Sequence, residues 1–205
     1  MKISLEHIGR RFNREWIFRD INYEFESGSS YAILGANGVG KSTLLQVISG
    51  SLSSSEGKIS YLHGDTTIDQ EKVFIHLGMA APYLELIEEF TLTELVDFHF
   101  RFKKYRQGFN RKGVIELLGL KNSEFKAIKY FSSGMKQRVK LALAFCSDTA
   151  ILLLDEPASN LDQQGLDWYL SLASTLSSDR LLIICSNQEQ EYSFCRHKLN
   201  IADYK

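Results

Sequence analysis

The sequence predicts a single α/β domain in which a mixed core sheet is flanked by antiparallel strands and carries a helical insert. Short continuous apolar runs are typical of strands buried on both faces, and alternating segments are typical of strands with one exposed face. Residues 91–146 instead show helical periodicity without an intervening strand pattern. With 205 residues, 44 % apolar residues and a formal net charge of −1, the chain is long enough to bury such a core. Its charge balance gives no indication of a nucleic-acid partner.

Six segments account for the predicted strands. Residues 2–8 and 22–26 alternate apolar and polar side chains, with Tyr23 and Phe25 on one face, and we expect them to pair as antiparallel strands. Four continuous apolar runs predict parallel strands buried on both faces, at residues 31–34, 73–77, 151–154 and 181–185.

Helical periodicity predicts helices over residues 91–105, 111–118 and 133–146. We therefore assign residues 1–90 and 147–205 to an α/β core and residues 91–146 to a helical subdomain. The cysteines, which are odd in number and lack metal-type spacing, are expected to be buried free thiols: Cys146, Cys185 and Cys195. No apolar run is long enough to span a bilayer, and the first residues lack the apolar core of a signal peptide, so we expect a cytoplasmic protein.

The most informative motif is GANGVGKST at residues 35–43, between the apolar run 31–34 and a helical segment. Glycines allow backbone N–H groups to turn towards a phosphate chain, and the start of the helix adds unsatisfied amides. Lys41 reaches the β- and γ-phosphates, and the Ser42 hydroxyl can bind Mg²⁺. The motif therefore predicts ATP or GTP binding by this phosphate loop, through Gly35, Asn37, Gly38, Gly40, Lys41, Ser42 and Thr43.

Adjacent carboxylates follow the apolar run 151–154, at the carboxyl edge of the predicted parallel sheet, where such folds hold their ligands. Asp155 is the candidate Mg²⁺ ligand, and Glu156 is the candidate general base that polarises an attacking water. A solvated acidic turn is the alternative interpretation. The phosphate loop in the same chain favours the catalytic one.

Together with FSSGMKQR at residues 131–138 and SNLD at residues 159–162, these motifs resemble the ATP-binding-cassette (ABC) ATPases over nearly the entire chain. The resemblance implies a P-loop NTPase cassette that hydrolyses ATP with Mg²⁺. It also implies that ATP is contacted by Phe12, Ser132, Ser133, Gly134 and Asp162. Residues 131–138 occupy the place of the family's signature segment, although only Ser132 and Gly134 match its core strictly. A simple serine-capped helix is the alternative there, and Trp16 competes with Phe12 as the aromatic residue that stacks on adenine.

Two departures from the family pattern affect the catalytic site. Residues 78–83 read GMAAPY and contain no Gln, where the family has a Gln near Mg²⁺ and the attacking water. Residues 186–188, the switch segment, read SNQ, so Asn187 stands where the family has a His. Asn187 can donate a hydrogen bond but cannot become charged. We therefore predict slow hydrolysis by a catalytic set of Glu156, Lys41 and Asn187.

A chain with one phosphate loop implies, by the same resemblance, a second cassette as partner, in a homodimer or a heterodimer. It further implies an energising subunit of an ABC transporter, bound to a separate integral membrane permease at the inner face of the cell membrane. Residues 83–90, YLELIEEF, are the candidate permease contact, or alternatively pack into the helical insert. Two other functions stay open: a cytosolic non-transport ABC ATPase of the cluster-assembly type, and a nucleotide-binding regulator that has lost turnover.

Overall fold

The structure is a computed structural model that describes residues 1–120 and 122–205. Its strands are β1 (Lys2–Phe12), β2 (Glu15–Glu26), β3 (Ser30–Leu34), β4 (Glu56–His63), β5 (Thr66–Ile68), β6 (Leu77–Ala80), β7 (Ile151–Asp155), β8 (Leu181–Cys185) and β9 (His197–Asn200). Its α-helices are α1 (Lys41–Ile48), α2 (Leu92–His99), α3 (Arg111–Leu118), α4 (Ser133–Cys146), α5 (Gln163–Leu176) and α6 (Glu189–Tyr192). Short 3₁₀ helices span Gln70–His76, Ile128–Tyr130 and Ile201–Tyr204.

The predicted fold class is confirmed, with the parallel and antiparallel strands in two separate sheets. The parallel sheet has the order β6-β7-β8-β3-β9. Its central strands are apolar and fully buried, because helices cover both faces. The register places Ile33 and Asp155 opposite Cys185 in the intervening strand β8. The carboxyl ends of β3, β7 and β8 therefore meet at one edge, where the phosphate loop and the adjacent carboxylates begin.

The antiparallel sheet has the order β2-β1-β4-β5, and β1 and β2 extend beyond the predicted segments. Tyr23 and Phe25 lie on one face as predicted, with ring centroids 4.8 Å apart. The register of β1 against β4 shifts between Glu6 and Gly9, and Gly57 lies opposite this irregularity. Gly57 has φ +83°, and a Cβ there would be 2.2 Å from the His7 carbonyl oxygen, so only glycine fits without a shift of the backbone.

Side-chain caps define the beginnings of the helices in the insert. Thr91 forms a capping box with Glu94 before α2, and Asn110 caps α3. The predicted helices 111–118 and 133–146 are confirmed, and the apolar side chains of α2, α3 and α4 pack in a cluster of their own. The division of the chain at residues 91 and 146 stays a prediction.

The predicted helix 91–105 is wrong over its last residues, because α2 ends at His99. The Phe100 and Tyr105 rings stack with centroids 3.7 Å apart, which folds the chain back within six residues. The helical periodicity of residues 91–105 gave no indication of this aromatic contact.

The predicted strand 73–77 is also wrong. A 3₁₀ helix spans Gln70–His76 and β6 begins at Leu77. Val73 is buried, but Phe74 and Ile75 are 59 % and 51 % exposed. An apolar run alone does not distinguish a buried strand from a turn with exposed apolar side chains.

All three cysteines are buried free thiols, as predicted. None of the helices in the described part of the chain is long and apolar enough to cross a membrane.

Candidate active site

The phosphate loop connects β3 to α1 in the backbone conformation that its glycines allow. Gly38 and Gly40 have φ values of +77° and +116°, in the left-handed region. A Cβ on Gly40 would lie 2.4 Å from Ile17 Cγ2, so this position also needs glycine for close packing. Gly40 precedes α1 without a side-chain cap, which leaves the first amides of the helix for an anionic ligand.

Lys41 is almost completely buried and folds over the phosphate loop. Its Nζ donates to the carbonyl oxygens of Gly35 at 2.8 Å and Ala36 at 3.2 Å. The ammonium group therefore lies on the inner side of the loop, where it can meet phosphate oxygens. The adjoining cleft of about 230 Å³ is lined by Ile17, Asn37, Gly38, Gly40, Lys41, Ser42, Thr43 and Glu156. Gly35 lies outside this lining and packs against Val39 and Ile201.

Asp155 ends β7 and is 1 % exposed. Within the part of the chain that the structure describes, neither carboxylate oxygen has a well-formed hydrogen bond. Burial raises the pKa of Asp155, and Glu156 adds to that rise, whereas the nearby Ser42 hydroxyl and Lys41 ammonium oppose it. A buried carboxylate without a partner, next to a serine hydroxyl, supplies the hard oxygen donors that Mg²⁺ prefers. The residues present therefore fit a magnesium ion held by Ser42 and Asp155.

Glu156 follows Asp155 with φ +43°, an uncommon conformation for a residue with a side chain. Its backbone N–H donates to the Cys185 carbonyl at 2.8 Å, and its own carbonyl accepts from the Ser159 amide at 3.0 Å. These bonds hold the turn so that Glu156 borders the phosphate-loop cleft. Strained backbone of this kind occurs where a functional side chain must be aimed.

Asn187 follows β8 and lies against the phosphate loop. Its Nδ2 donates to Asn37 Oδ1, although the two residues are 150 positions apart in the chain. The structure therefore brings the predicted catalytic residues Lys41, Glu156 and Asn187 to the same edge of the parallel sheet.

The signature segment and the residues 159–162, which we call the D-loop, form a second cleft of about 290 Å³. Ser132 caps α4 by accepting from the Met135 amide, and Asp162 caps α5 by accepting from the Gly165 amide. A Cβ on Gly134 would lie 2.7 Å from the Asn160 carbonyl oxygen, so the two segments are in close contact. Ser133 also lines this cleft, which shares no lining residue with the phosphate-loop cleft.

A family model described as ABC transporter matches residues 18–159, more than half of the chain. The chain belongs to the ABC transporter family. Proteins that carry this ATP-binding domain are ATPases, so this ABC protein is an ATP-binding ATPase.

Two curated relatives of this ABC protein extend over most of its length. The energy-coupling factor transporter ATP-binding protein EcfA1 of Thermotoga maritima is 34 % identical over 94 % of this chain and 74 % of its own length. The uncharacterised ABC transporter ATP-binding protein YcbN of Bacillus subtilis is 29 % identical over 86 % of this chain and 58 % of its own length.

Solved structures show the same fold. The dimeric bacterial ABC transporter cassette MJ0796 superposes with a TM-score of 0.81 at 22 % identity, covering 97 % of this chain and 94 % of that one. Its dimeric post-hydrolysis form, bound to ADP and Pi, gives a TM-score of 0.83 at 21 % identity over the same shares of the two chains.

The aromatic candidates for adenine stacking lie outside the phosphate-loop cleft of this ABC protein. Phe12 is 45 % exposed, and the Arg10 guanidinium lies 4.5 Å from its ring centroid. The Trp16 ring lies near two guanidinium groups, at 5.5 Å from Arg11 and 4.7 Å from Arg19. Among the described residues, one guanidinium group therefore lies over the Phe12 ring and two lie over the Trp16 ring.

The sequence did not indicate one residue that lines the phosphate-loop cleft, Ile17, and gave no role at the site to Tyr83. Ile17 lines the phosphate-loop cleft, and nothing in the local pattern distinguished it from the other apolar residues of its strand. Tyr83 is the last residue of the segment 78–83, which lacks the family's Gln. Burial raises the pKa of the Tyr83 hydroxyl, and the charge on Asp155 raises it further, whereas Gln46 lowers it. Tyr83 is 40 % exposed and does not line the phosphate-loop cleft, so it borders the site without being part of it.

Proposed function

We propose that this chain is the energising ATPase subunit of an ABC transporter, and that it binds ATP between two cassettes. The observation that carries the proposal is the separation of the phosphate-loop cleft from the signature cleft. In a single chain, one ATP molecule can contact only one of these two clefts. In a head-to-tail pair, the signature cleft of one copy can close the phosphate-loop cleft of the other.

Each residue of the site has a chemical role in this proposal. Lys41 and the loop amides bind the phosphates, and Glu156 accepts a proton from the attacking water. Asn187 donates a hydrogen bond to the γ-phosphate. Ser42 and Asp155 hold Mg²⁺, which when bound neutralises phosphate charge. Ser132 and Gly134 of the partner copy complete the phosphate contacts.

Turnover is slow in this proposal. Residues 78–83 contain no Gln, and Asn187 cannot carry the charge of a protonated imidazole. Losing one positioned transition-state donor lowers the rate by on the order of 10²–10³-fold in other enzymes. Glu156 is present and borders the cleft, which favours slow hydrolysis over a regulator without turnover.

A third cleft supports a separate membrane subunit as the second partner, and with it a location at the cytoplasmic face of the membrane. This cleft of about 670 Å³ is lined by Pro82, Leu84, Glu85, Leu86, Ile87, Glu88, Glu89, Lys136 and Lys140. Leu86 and Phe90 also pack on the cluster of the helical insert, and Glu88 pairs with Lys136. The mixture of apolar side chains with charges of both signs suits an amphipathic segment of a permease. An integral membrane protein that co-purifies in equal amount from detergent-solubilised cells would support this partner, whereas a purely soluble complex would favour the cytosolic alternative.

ATP-dependent dimerisation tests the proposal directly. The Glu156→Gln variant keeps the shape of the site but loses the general base, so we expect monomers without nucleotide and dimers with ATP and Mg²⁺. Light scattering after size-exclusion chromatography measures the mass. Adding EDTA should shift the dimer back towards monomer.

Two lysine substitutions in the Glu156→Gln background provide the matched controls. Lys41→Ala removes the phosphate contact and should keep the protein monomeric. Lys112→Ala changes an exposed lysine of α3, paired with Glu116, and should leave dimerisation intact. A Glu156→Gln protein that binds ATP and stays monomeric would contradict the proposal.

A further inference from the structure

Two buried polar side chains hold the turn that connects Glu156 to the D-loop. Gln137 of α4 is 3 % exposed and donates from Nε2 to the Pro157 carbonyl oxygen at 2.9 Å. Glu191 of α6 is 0 % exposed and accepts at Oε1 from the Ala158 amide at 3.0 Å. The peptide group between Pro157 and Ala158 is therefore held at both its C=O and its N–H by side chains from two different helices, and neither side chain lines the phosphate-loop cleft.

The environment of Glu191 is unfavourable for a carboxylate. Its Oε2 atom is buried and has no hydrogen-bond partner in the described part of the chain. Burial raises the pKa of Glu191, and the charges on Glu156 and Asp155 add to that rise, whereas the nearby Ser186 hydroxyl and the hydrogen bond from the Ala158 amide oppose it. A well-packed apolar residue would avoid this desolvation cost. Buried polar groups that break the ordinary packing rules occur mainly at functional sites.

Glu191 also lies on the element that follows the switch segment. Gln188 precedes α6, and its amide donates to Ser186 Oγ at 2.9 Å. The Glu191 amide donates in turn to the Gln188 carbonyl oxygen at 3.0 Å. Asn187, between these anchored residues, contacts Asn37 of the phosphate loop. The backbone of α6 therefore links Asn187, which contacts the phosphate loop, to the side chain of Glu191, which holds the Ala158 amide.

We propose that Glu191 is a positioning residue for ATP hydrolysis: by holding the Ala158 amide, it fixes the turn of Glu156 and the D-loop relative to Asn187. This inference rests on the proposed ATPase function. Glu191 acts through Ala158 and does not touch the nucleotide. Its removal should therefore affect the rate of hydrolysis more than the binding of ATP.

Three variants separate positioning from stability. Glu191→Ala removes the acceptor of the Ala158 amide, and we expect kcat to fall by at least about 10-fold with KM within about 2-fold of the unmodified protein, as misplacement of a catalytic group predicts. Glu191→Gln keeps an acceptor oxygen and should retain kcat within about 3-fold. Tyr169→Phe is the control, because the Tyr169 hydroxyl donates to the Glu191 carbonyl at 2.9 Å and this variant leaves the Ala158 bond in place. It should lower the melting temperature but keep kcat.

Two results would overturn the inference: an unchanged kcat in Glu191→Ala, or an equal loss of kcat in Tyr169→Phe. If Glu191→Ala does not fold, Glu191→Leu restores side-chain volume without an acceptor and takes its place. Hydrogen exchange of the Ala158 amide gives a readout that is independent of turnover. We expect exchange at least about 10-fold faster in Glu191→Leu than in Glu191→Gln, because only the latter keeps the bond.

This exchange measurement distinguishes the two failures. Absence of ATP hydrolysis by the unmodified protein would contradict the proposed function. The exchange rates of the Ala158 amide would still show whether Glu191 binds that amide. Equal exchange in the two variants would contradict the role of Glu191 even in an active ATPase.

Discussion

At the scale of single residues, Asn187 most strongly sets this chain apart from the usual ABC site. It lies at the phosphate loop, where it donates to Asn37. The amide of Asn donates a hydrogen bond and always stays neutral, whereas the imidazole of His can also carry a positive charge near the γ-phosphate. Either Asn or His at this position can therefore donate a hydrogen bond to the γ-phosphate. Only a protonated histidine would also stabilise the negative charge that develops in the transition state.

Replacement of Asn187 by histidine tests whether this residue limits the rate of ATP hydrolysis. We expect Asn187→His to raise kcat by on the order of 10-fold, below the full value of a positioned transition-state donor because the Gln of residues 78–83 is still missing. Steady-state hydrolysis at saturating ATP and Mg²⁺ measures kcat.

The neighbouring variant Gln188→His places an imidazole on an exposed side chain and should leave kcat unchanged. An Asn187→His protein that is no faster than the unmodified one would show that Asn187 does not limit turnover.

At the scale of elements, strands β1 and β4 of the antiparallel sheet approach each other closely at a glycine. Gly57 of β4 lies against the irregular part of β1, next to the His7 carbonyl. This approach lies inside the sheet that also carries Ile17 on β2. Both Gly57 and Gly64 have positive φ, but only Gly57 is crowded.

This difference predicts unequal costs for the same substitution. Gly64→Ala meets no atom within 4 Å, and its cost should be limited to the left-handed conformation, about 1–2 kcal/mol of unfolding free energy. Gly57→Ala would place its Cβ 2.2 Å from a carbonyl oxygen. It should cost at least about 2 kcal/mol more, because backbone must move.

Urea unfolding of the two alanine variants, each compared with the unmodified protein, measures both costs. Equal losses of stability would mean that β4 moves away from β1 without strain.

At the scale of the whole molecule, the two clefts determine what one copy can do. The phosphate-loop cleft contains Lys41 and Glu156, and the signature cleft contains Ser132 and Gly134. The two sets share no lining residue among those that the structure describes, so the composite site proposed for a dimer takes one set from each copy.

Mixed dimers test this division. Lys41→Ala inactivates the phosphate-loop side, and Gly134→Asp inactivates the signature side by crowding the Asn160 carbonyl and adding a negative charge. Each variant alone should be inactive. An equal mixture should recover about one quarter of normal activity, because half of the dimers are mixed and each mixed dimer has one intact site.

A mixture of Lys41→Ala and Glu156→Gln is the control, since both changes affect the phosphate-loop side and every site then carries a defect. Recovery in this control, or its absence in the first mixture, would contradict the composite site.

Features that depend on short spacing along the chain could be predicted from the amino-acid sequence. The phosphate loop, the carboxylates Asp155 and Glu156, and the extents of α3 and α4 were predicted because local backbone geometry follows from neighbouring residues. The roles of the site residues remain predictions.

Contacts between segments that are distant in the chain became visible only in the folded structure. It showed β6 beginning at Leu77 after a 3₁₀ helix, the contact of Asn187 with Asn37, and the bond of Glu191 to Ala158 across 33 positions of the chain. Such contacts depend on how helices and strands pack together. Periodicity reports only the local conformation of each segment, so no local pattern could predict them.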